Sequence, residues 1–270
     1  MTGFVREDSI VRRIWGRSET VLFIFAGASA EFALNKSVDW LYFTGKLPAD
    51  PLGRLFSTVA YAKKIVFASE EQAHAAIDTM RQIHSRVEND RGASIPDWAY
   101  RDVLYMLIFY SIASYELLER RLTAEEKEEV YDVFFRLGTR MGLKDLPLGY
   151  TSWLNDRDLH LKNDLVVSEH TTDLFKQYKK HLGLLRYTIL IETQKLLVPP
   201  EVRKKLHFNR INWLAPIVPV YKVSQKLRLD WVVKKILLPG KYSKEINGLD
   251  VVTTIHRPYP SLQTTKQLNN

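Results

Sequence analysis

His84 lies on an otherwise apolar helical stripe. Ile77, Met80, His84 and Val87 follow one another at spacings of three, four and three residues, so one helix face presents all four to the protein core. Arg81 lies three residues before His84, about one turn back, which predicts that a cation is directed at the same buried region. A buried imidazole can bind a metal, but on an apolar stripe it is more often a hydrogen-bonded core residue. The spacing alone leaves both interpretations open.

Helix start and stop signals indicate which elements position this histidine. Asp50 followed by Pro51 is a favourable N-cap and first-turn pair, and Ser69 and Thr123 each open a capping box. Pro199 ends the last long helical pattern. The predicted helices cover residues 50–67, 69–89, 96–118, 123–142 and 170–197. No segment has the period-two alternation of a strand, so the prediction is an all-α fold class.

Length and composition fit a single globular multi-helix domain. The 270 residues include 46% hydrophobic residues and only 12 Gly and 11 Pro, which favours long helices over a many-turned β fold. The domain is predicted to cover residues 1–258, and the polar tail 259–270 is predicted to be poorly ordered. Residues 20–34 are the most apolar run, but they are too short to span a bilayer and contain Glu31. They are therefore predicted to form a buried core helix.

Several classes of chemistry are excluded or left without support by the residues. The chain has no cysteine, which excludes disulfides, thiolate-ligated haem, iron–sulfur clusters and cysteine-based zinc sites. Neither a glycine-rich phosphate loop nor a Gly-x-Ser-x-Gly nucleophile turn is present. His160 and His170 lack metal-ligand spacing, and His74 is predicted to be a surface or helix-packing residue. A further group of acidic residues is interpreted as turn and cap residues, namely Asp156, Asp158 and Asp164.

The net charge of +8 is unevenly distributed. Residues 171–244 contain 16 Lys/Arg against 4 Asp/Glu, a net of +12, which predicts attraction to an anionic partner. No nucleic-acid-binding motif accompanies this charge, so no nucleic-acid partner is predicted. A solvated basic face explains this charge equally well. Residues 211–239 mix aromatic residues with lysines, which suits peripheral contact with an anionic membrane, although an ordinary C-terminal helix that covers the core is slightly favoured. Because charged residues interrupt the N-terminus and no apolar span is long enough, a cytoplasmic location without signal peptide or transmembrane helix is predicted.

Short motifs occur in a recognisable order over residues 12–200. Residues 50–58 read DPLGRLFST, residues 65–73 read IVFASEEQA, and residues 81–87 read RQIHSRV. LTAEE follows at 122–126, and MGL with LP at 141–147. This order and spacing resemble the catalytic domain shared by latex-clearing proteins (rubber oxygenases) and MpaB-type oxygenases. Residues 201–258 are predicted to form a basic helical part beyond the resemblance.

The resemblance implies an all-helical fold that encloses a b-type haem. It makes His84 the proximal iron ligand, and it places Arg81, Arg54 and Thr58 in the cofactor site. These residue types suit that cofactor, because imidazole is a common axial ligand and arginines can hydrogen-bond the two propionates.

The sequence departs from the rubber-cleaving pattern at three positions. Ser57 occupies the place of a lysine, Glu88 that of an arginine, and Leu107 lies where many members have a histidine, so rubber cleavage itself is not predicted. An aromatic cluster on the same helix as Leu107 fits either a core or a substrate-pocket wall, namely Tyr105, Met106, Phe109 and Tyr110.

The resulting functional prediction is a haem b-dependent oxygenase that uses O₂ on an apolar small-molecule substrate, such as an alkene-bearing lipid or isoprenoid. Two alternatives stay open at this stage. One is a haem-binding sensor or carrier without turnover, and the other is a non-haem helical binding protein on the same scaffold. The catalytic residues on the distal side are not predicted.

Overall fold

A computed structural model describes residues 3–226 of the chain, and these residues form twelve α-helices and no β-strand. Two isolated backbone bridges, Gly3 with Ser69 and Asn35 with Leu165, are the only extended pairings within this range. The all-α prediction is therefore confirmed. The predicted tail 259–270 and the second half of the basic segment 211–239 lie outside the described residues.

The helices follow one another with short connections. The first six are α1 (Ile10–Trp15), α2 (Ser18–Phe32), α3 (Val38–Phe43), α4 (Lys46–Ala49), α5 (Pro51–Val66) and α6 (Glu70–Arg91). The second six are α7 (Asp97–Leu118), α8 (Ala124–Met141), α9 (Tyr150–Asn163), α10 (Glu169–Leu197), α11 (Pro200–Lys205) and α12 (Ile217–Lys226).

The predicted helix caps are present. The Asp50 side chain accepts a hydrogen bond from the backbone N–H of Gly53 at 3.0 Å and opens α5. Ser69 and Thr123 form complete capping boxes at the starts of α6 and α8. These side chains satisfy backbone donors that have no partner inside the helix, which is why the local sequence fixes where the helices begin.

One predicted helix is not continuous. Residues 170–197 were expected to form one straight helix, but Gly183 inside α10 has a φ of +73° and a ψ of 169°, which are not helical values. Glycine tolerates this conformation because it lacks a Cβ, so the chain kinks here without steric cost. The kink re-aims the second half of α10, which carries residues that line the cavity described below.

Helix α2 is the centre of the core and packs along α7. The close approach depends on Gly27, since a Cβ at this position would come within 2.3 Å of the ring of Tyr110. The prediction that residues 20–34 form a buried core helix is confirmed, because most of α2 is inaccessible to solvent. No helix among the described residues has both the length and the apolar character needed to cross a membrane.

Candidate functional site

A large cavity lies between α2, α5, α6, α7, α8 and α10. Its volume is about 660 Å³, within the range of about 300–1,000 Å³ typical of small-molecule sites. Most of its wall is aliphatic or aromatic, with contributions from Leu22, Phe25, Leu104, Met106, Phe134 and Ile189. The cavity can therefore take a ligand with a large apolar body.

The charged side chains that line the cavity are all basic. They are Lys46, Arg54 and Arg186, and no aspartate or glutamate is among the lining residues. Within residues 3–226, neither arginine has a carboxylate within ion-pair distance, and Nε of Arg186 is buried without a hydrogen-bond partner. Placing cations near a low-dielectric cavity without counterions costs free energy, which an anionic ligand would offset. The cavity thus suits a ligand that is apolar in its body and anionic at one edge.

His84 projects from α6 onto the wall of this cavity. It is half-buried, its Nδ1 is buried, and no described residue makes a hydrogen bond to that atom. Burial lowers the pKa of His84, the charge of Arg54 lowers it further, and Glu88 acts in the opposite direction. The imidazole is therefore neutral at neutral pH, which is the form that binds a metal. Met80 and Val87 line the same cavity, in agreement with the predicted stripe.

Arg54 and Thr58 lie one turn apart on α5 and both line the cavity. The hydroxyl of Thr58 donates to the backbone carbonyl of Arg54 at 3.2 Å, so its oxygen is available as an acceptor toward a ligand. Burial lowers the pKa of Arg54 and Tyr61 partly offsets this. Three of the four predicted site residues, His84, Arg54 and Thr58, are thus brought to one cavity.

Arg81 is not brought to this cavity. Its side chain is exposed and lines a surface cleft beside Asp78 and Arg140, which form an ion pair at 2.6 Å. A step of three residues along a helix leaves the two side chains about 60° apart around the axis, since each residue advances the helix by about 100°. For a residue at the edge of the apolar stripe, this offset is enough to place the Arg81 side chain in solvent. The expectation that Arg81 is directed at the same buried region as His84 is wrong.

The positions that depart from the rubber-cleaving pattern have local roles. The Glu88 carboxylate accepts a hydrogen bond from the backbone N–H of Ile95 at 2.8 Å, so it holds the turn between α6 and α7. Leu107 and Met106 line the cavity, whereas Tyr105 and Tyr110 are core residues whose hydroxyls donate to Asp156 and Glu31. Of the cluster predicted on α7, only Met106 lines the cavity, and its aromatic members are not among the lining residues.

Arg186 is a candidate site residue that the sequence did not indicate. It follows the kink at Gly183 and reaches the cavity from α10, more than 100 residues from His84 along the chain. Its sequence neighbours Leu184 and Leu185 are about 70% exposed, so no apolar periodicity marks its face. Its unpartnered buried Nε is the structural signal that identifies it.

Two polar clusters lie outside the cavity, between α9 and the α2–α7 pair. In the first, Arg157 donates to both carboxylate oxygens of Glu31 at 2.7 and 2.6 Å, and the Tyr110 hydroxyl donates to the same carboxylate at 2.9 Å. In the second, His160 lies between the carboxylates of Asp102 and Asp164. Neither cluster was predicted, because their members come from helices far apart in sequence.

The fold and the cavity define an all-helical protein with a large, mostly apolar ligand cavity among the described residues. The chain matches the family model described as ER-bound oxygenase mpaB/B'/Rubber oxygenase, catalytic domain, over residues 5–222. This match covers most of the chain, so the protein belongs to that family of oxygenase catalytic domains, as the motif order predicted. Comparisons with curated proteins and with solved structures found no match.

Proposed function

We propose that the protein is a haem b-dependent oxygenase that acts on an apolar, alkene-bearing substrate such as a lipid or isoprenoid. The observation that carries the proposal is His84, a neutral imidazole with an unpartnered buried Nδ1 on the wall of an apolar cavity whose charged lining is basic. The residues fit haem b, because that cofactor combines an apolar macrocycle, an iron that accepts imidazole and two carboxylates. Membership of an oxygenase family supports the same conclusion.

In this proposal the polar residues that line the cavity have different roles. His84 binds the iron as the proximal ligand, and the lowered pKa keeps its imidazole neutral and ready to bind. Arg54 and Arg186 neutralise and hydrogen-bond the propionates, which removes the cost of their own unpaired charges. Thr58 offers its oxygen as a hydrogen-bond acceptor at the same edge, because its proton is donated to the backbone carbonyl of Arg54. When bound, haem supplies the activation of O₂, and the protein supplies orientation and a dry pocket.

The apolar part of the cavity wall indicates the class of substrate. The wall offers only carbon and sulfur atoms to the cavity at four residues, namely Leu104, Met106, Leu107 and Phe134. These side chains exclude water, and their affinity for a hydrocarbon grows with the apolar surface area that it buries. An alkene-bearing hydrocarbon would bind to this wall by its apolar part, and its double bond would be the group offered for oxidation. Ser57 and Leu107 supply neither the lysine nor the histidine of the rubber-cleaving pattern, so a smaller substrate than rubber is proposed.

The test is a visible absorption spectrum of the purified chain before and after addition of hemin. We expect a Soret band with one haem per chain, and we expect His84→Ala to lose or shift that band. His74→Ala is the matched control, since His74 lies on the same helix and packs against the ring of Phe4. A colourless protein that binds no hemin, or an unchanged band in His84→Ala, would overturn the haem assignment.

Oxygen uptake separates the proposed enzyme from its alternatives. A haem-loaded chain that consumes O₂ when terpenoid or unsaturated lipid alkenes are added, and forms oxidised products, is an oxygenase. A haem-loaded chain that binds O₂ but leaves a broad alkene panel unchanged is a sensor or carrier. Loss of turnover in His84→Ala connects the activity to the proposed ligand.

A further inference from the structure

Three potential metal ligands meet on the side of α7 that faces away from the cavity. Nδ1 of His160 lies 2.8 Å from Oδ2 of Asp164 and 3.3 Å from Oδ1 of Asp102. The three ligand atoms all lie within 4.8 Å of one another. They come from α7, from α9 and from the residue that ends α9. None of the three is part of the proposed haem site.

The contacts of His160 are not ordinary hydrogen bonds. The residue is only 7% exposed, and Nδ1 is buried without a hydrogen bond of acceptable angle to any described residue. A buried ring nitrogen that points between two carboxylates, without donating properly to either, lacks its normal partner. A cation placed between the three atoms would supply that partner.

The charge balance of the cluster also favours a cation. Asp102 is 1% exposed, and its second oxygen accepts from the side-chain amide of Asn35, a neutral donor. Among the described residues, neither Asp102 nor Asp164 is within ion-pair distance of a lysine or arginine. The nearby Arg157 forms its ion pair with Glu31. One buried and one partly buried carboxylate therefore face a single imidazole, with the Lys36 and Arg157 cations nearby, and an excess of buried negative charge is costly.

The distances match a coordination shell. Metal–nitrogen and metal–oxygen bonds of about 2.0–2.2 Å at tetrahedral or octahedral angles place neighbouring ligand atoms about 2.8–3.6 Å apart. The two nitrogen–oxygen separations, 2.8 and 3.3 Å, lie within that range. Asp164 is 19% exposed, which gives an ion an entry path and leaves room for water to complete the shell.

We propose that Asp102, His160 and Asp164 form a divalent-cation site that fastens α9 to α7. One imidazole and two carboxylates suit Zn²⁺, Mn²⁺ or Fe²⁺ better than Ca²⁺, which prefers six or more oxygen ligands. The role is structural. Asp102 is followed directly by Val103 and Leu104, which line the cavity, so the bound ion holds the helix that forms one cavity wall.

The test measures Zn²⁺ or Mn²⁺ retained by the untagged full-length chain after incubation with each metal alone and gel filtration. Quantification by mass spectrometry keeps these metals separate from haem iron, so the result is independent of the proposed cofactor. We expect one equivalent in the wild type, and at least about tenfold weaker binding in His160→Gln and Asp164→Asn. Bound Zn²⁺ should also raise the Tm of the wild type but not of Asp164→Asn.

Asp158→Asn is the matched control, because Asp158 is an exposed carboxylate on the same helix that pairs only with Lys162. It should retain the metal as the wild type does. Absence of retained metal in the wild type, or equal retention in Asp164→Asn, overturns the proposal. If His160→Gln fails to fold, the result for Asp164→Asn decides whether the metal site exists. This variant is the less disruptive one, because the Asp164 side chain is closer to the surface and removing its charge leaves less charge buried.

Discussion

The guanidinium of Arg54 donates to the hydroxyl of Ser57 at 3.0 Å, one turn further along α5. The same hydroxyl donates to the backbone carbonyl of Arg54 at 2.9 Å. Ser57 therefore fixes the direction of Arg54 and adds no charge of its own. The rubber-cleaving pattern that the sequence resembles implies a lysine at this position, where this chain has an uncharged serine.

Removal of the Arg54 side chain tests which arginine serves the cofactor. We expect Arg54→Ala to weaken hemin binding by about tenfold or more, because a charge-assisted hydrogen bond contributes about 1.5–3 kcal/mol. Arg81→Ala is the matched control and should bind hemin as the wild type does, since Arg81 faces another cleft. Hemin titration followed at the Soret band gives both affinities. If both variants lost the same hemin affinity, long-range attraction by positive charge, and not the contact of Arg54 with the ligand in the cavity, would determine that affinity.

Close packing of α2 against α7 leads to a prediction about stability. A Cβ at Gly27 would lie 2.3 Å from Cδ1 of Tyr110, a buried ring whose hydroxyl is tied to Glu31 and cannot move freely. We therefore expect Gly27→Ala to lower the free energy of unfolding by about 1–3 kcal/mol, measured by urea denaturation.

Gly149→Ala is the comparison variant for this prediction. There the nearest atom to an added Cβ is Oε1 of Glu128 at 3.1 Å, a carboxylate that accepts from the backbone N–H of Tyr150 and has to move only slightly. Its stability should be closer to that of the wild type than the stability of Gly27→Ala. If both variants lost the same stability, contact with the ring of Tyr110 would not be the cause. The higher helix propensity of alanine and its less flexible unfolded chain act in the stabilising direction, so they would not explain a loss.

The buried pair of Glu31 and Arg157 leads to a second stability prediction. Both side chains are at most 3% exposed, and the two hydrogen bonds between them are 2.7 and 2.6 Å long. Glu31→Gln leaves the Arg157 charge buried without a counterion, so we expect a loss of about 3–5 kcal/mol in unfolding experiments.

The double variant Glu31→Gln, Arg157→Met should recover part of that loss, since it removes both charges. The exposed pair of Asp132 and Arg136 offers a control, and Asp132→Asn should change stability by only about 0–1 kcal/mol. A double variant as unstable as the single one would show that packing of the two side chains, rather than their charges, holds α9 in place.

Local patterns were sufficient to predict the six longest described helices and the apolar stripe that carries His84. Capping boxes at Ser69 and Thr123 act within four residues, and the stripe containing His84 repeats within one helix, so a single sequence carries both signals. Arg54 and Thr58 were predicted from the order of the motifs that resemble the family. The family was predicted on the same basis, and the match over residues 5–222 confirms it.

The remaining features depend on how distant segments meet. Gly183 kinks α10, but one glycine in a helical pattern gives no sign of the kink on its own. Arg186 reaches the cavity only because of the chain path beyond that kink. Asp102 and His160 are 58 residues apart in sequence, with no metal-binding spacing between them. Such juxtapositions are set by helix packing, which composition and periodicity do not encode.

The ion pair between Arg120 and Glu126 gives a pH-dependent contribution to stability. Two hydrogen bonds of 2.7 Å join the guanidinium to the carboxylate, which also accepts from the backbone N–H of Thr123 at 3.0 Å. The bonds from Arg120 lower the pKa of Glu126 from 4.5 to about 2, with burial opposing and the Thr123 N–H assisting. A carboxylate whose pKa is lower in the folded than in the unfolded state stabilises the fold above the unfolded value. That contribution is lost as the pH falls toward about 2.

Glu126→Gln isolates this contribution, because the glutamine oxygen can still accept from Thr123 and keep the capping box while the charge is removed. We expect the variant to be less stable than the wild type at pH 7, and the difference to shrink between about pH 4.5 and pH 2, as measured by urea denaturation across that range. In an Arg120→Gln background the pH-dependent part of the difference should become smaller, since the main cause of the shift is gone. A stability difference that stays constant from pH 7 to pH 2 would instead assign the effect to the cap and not to the ion pair.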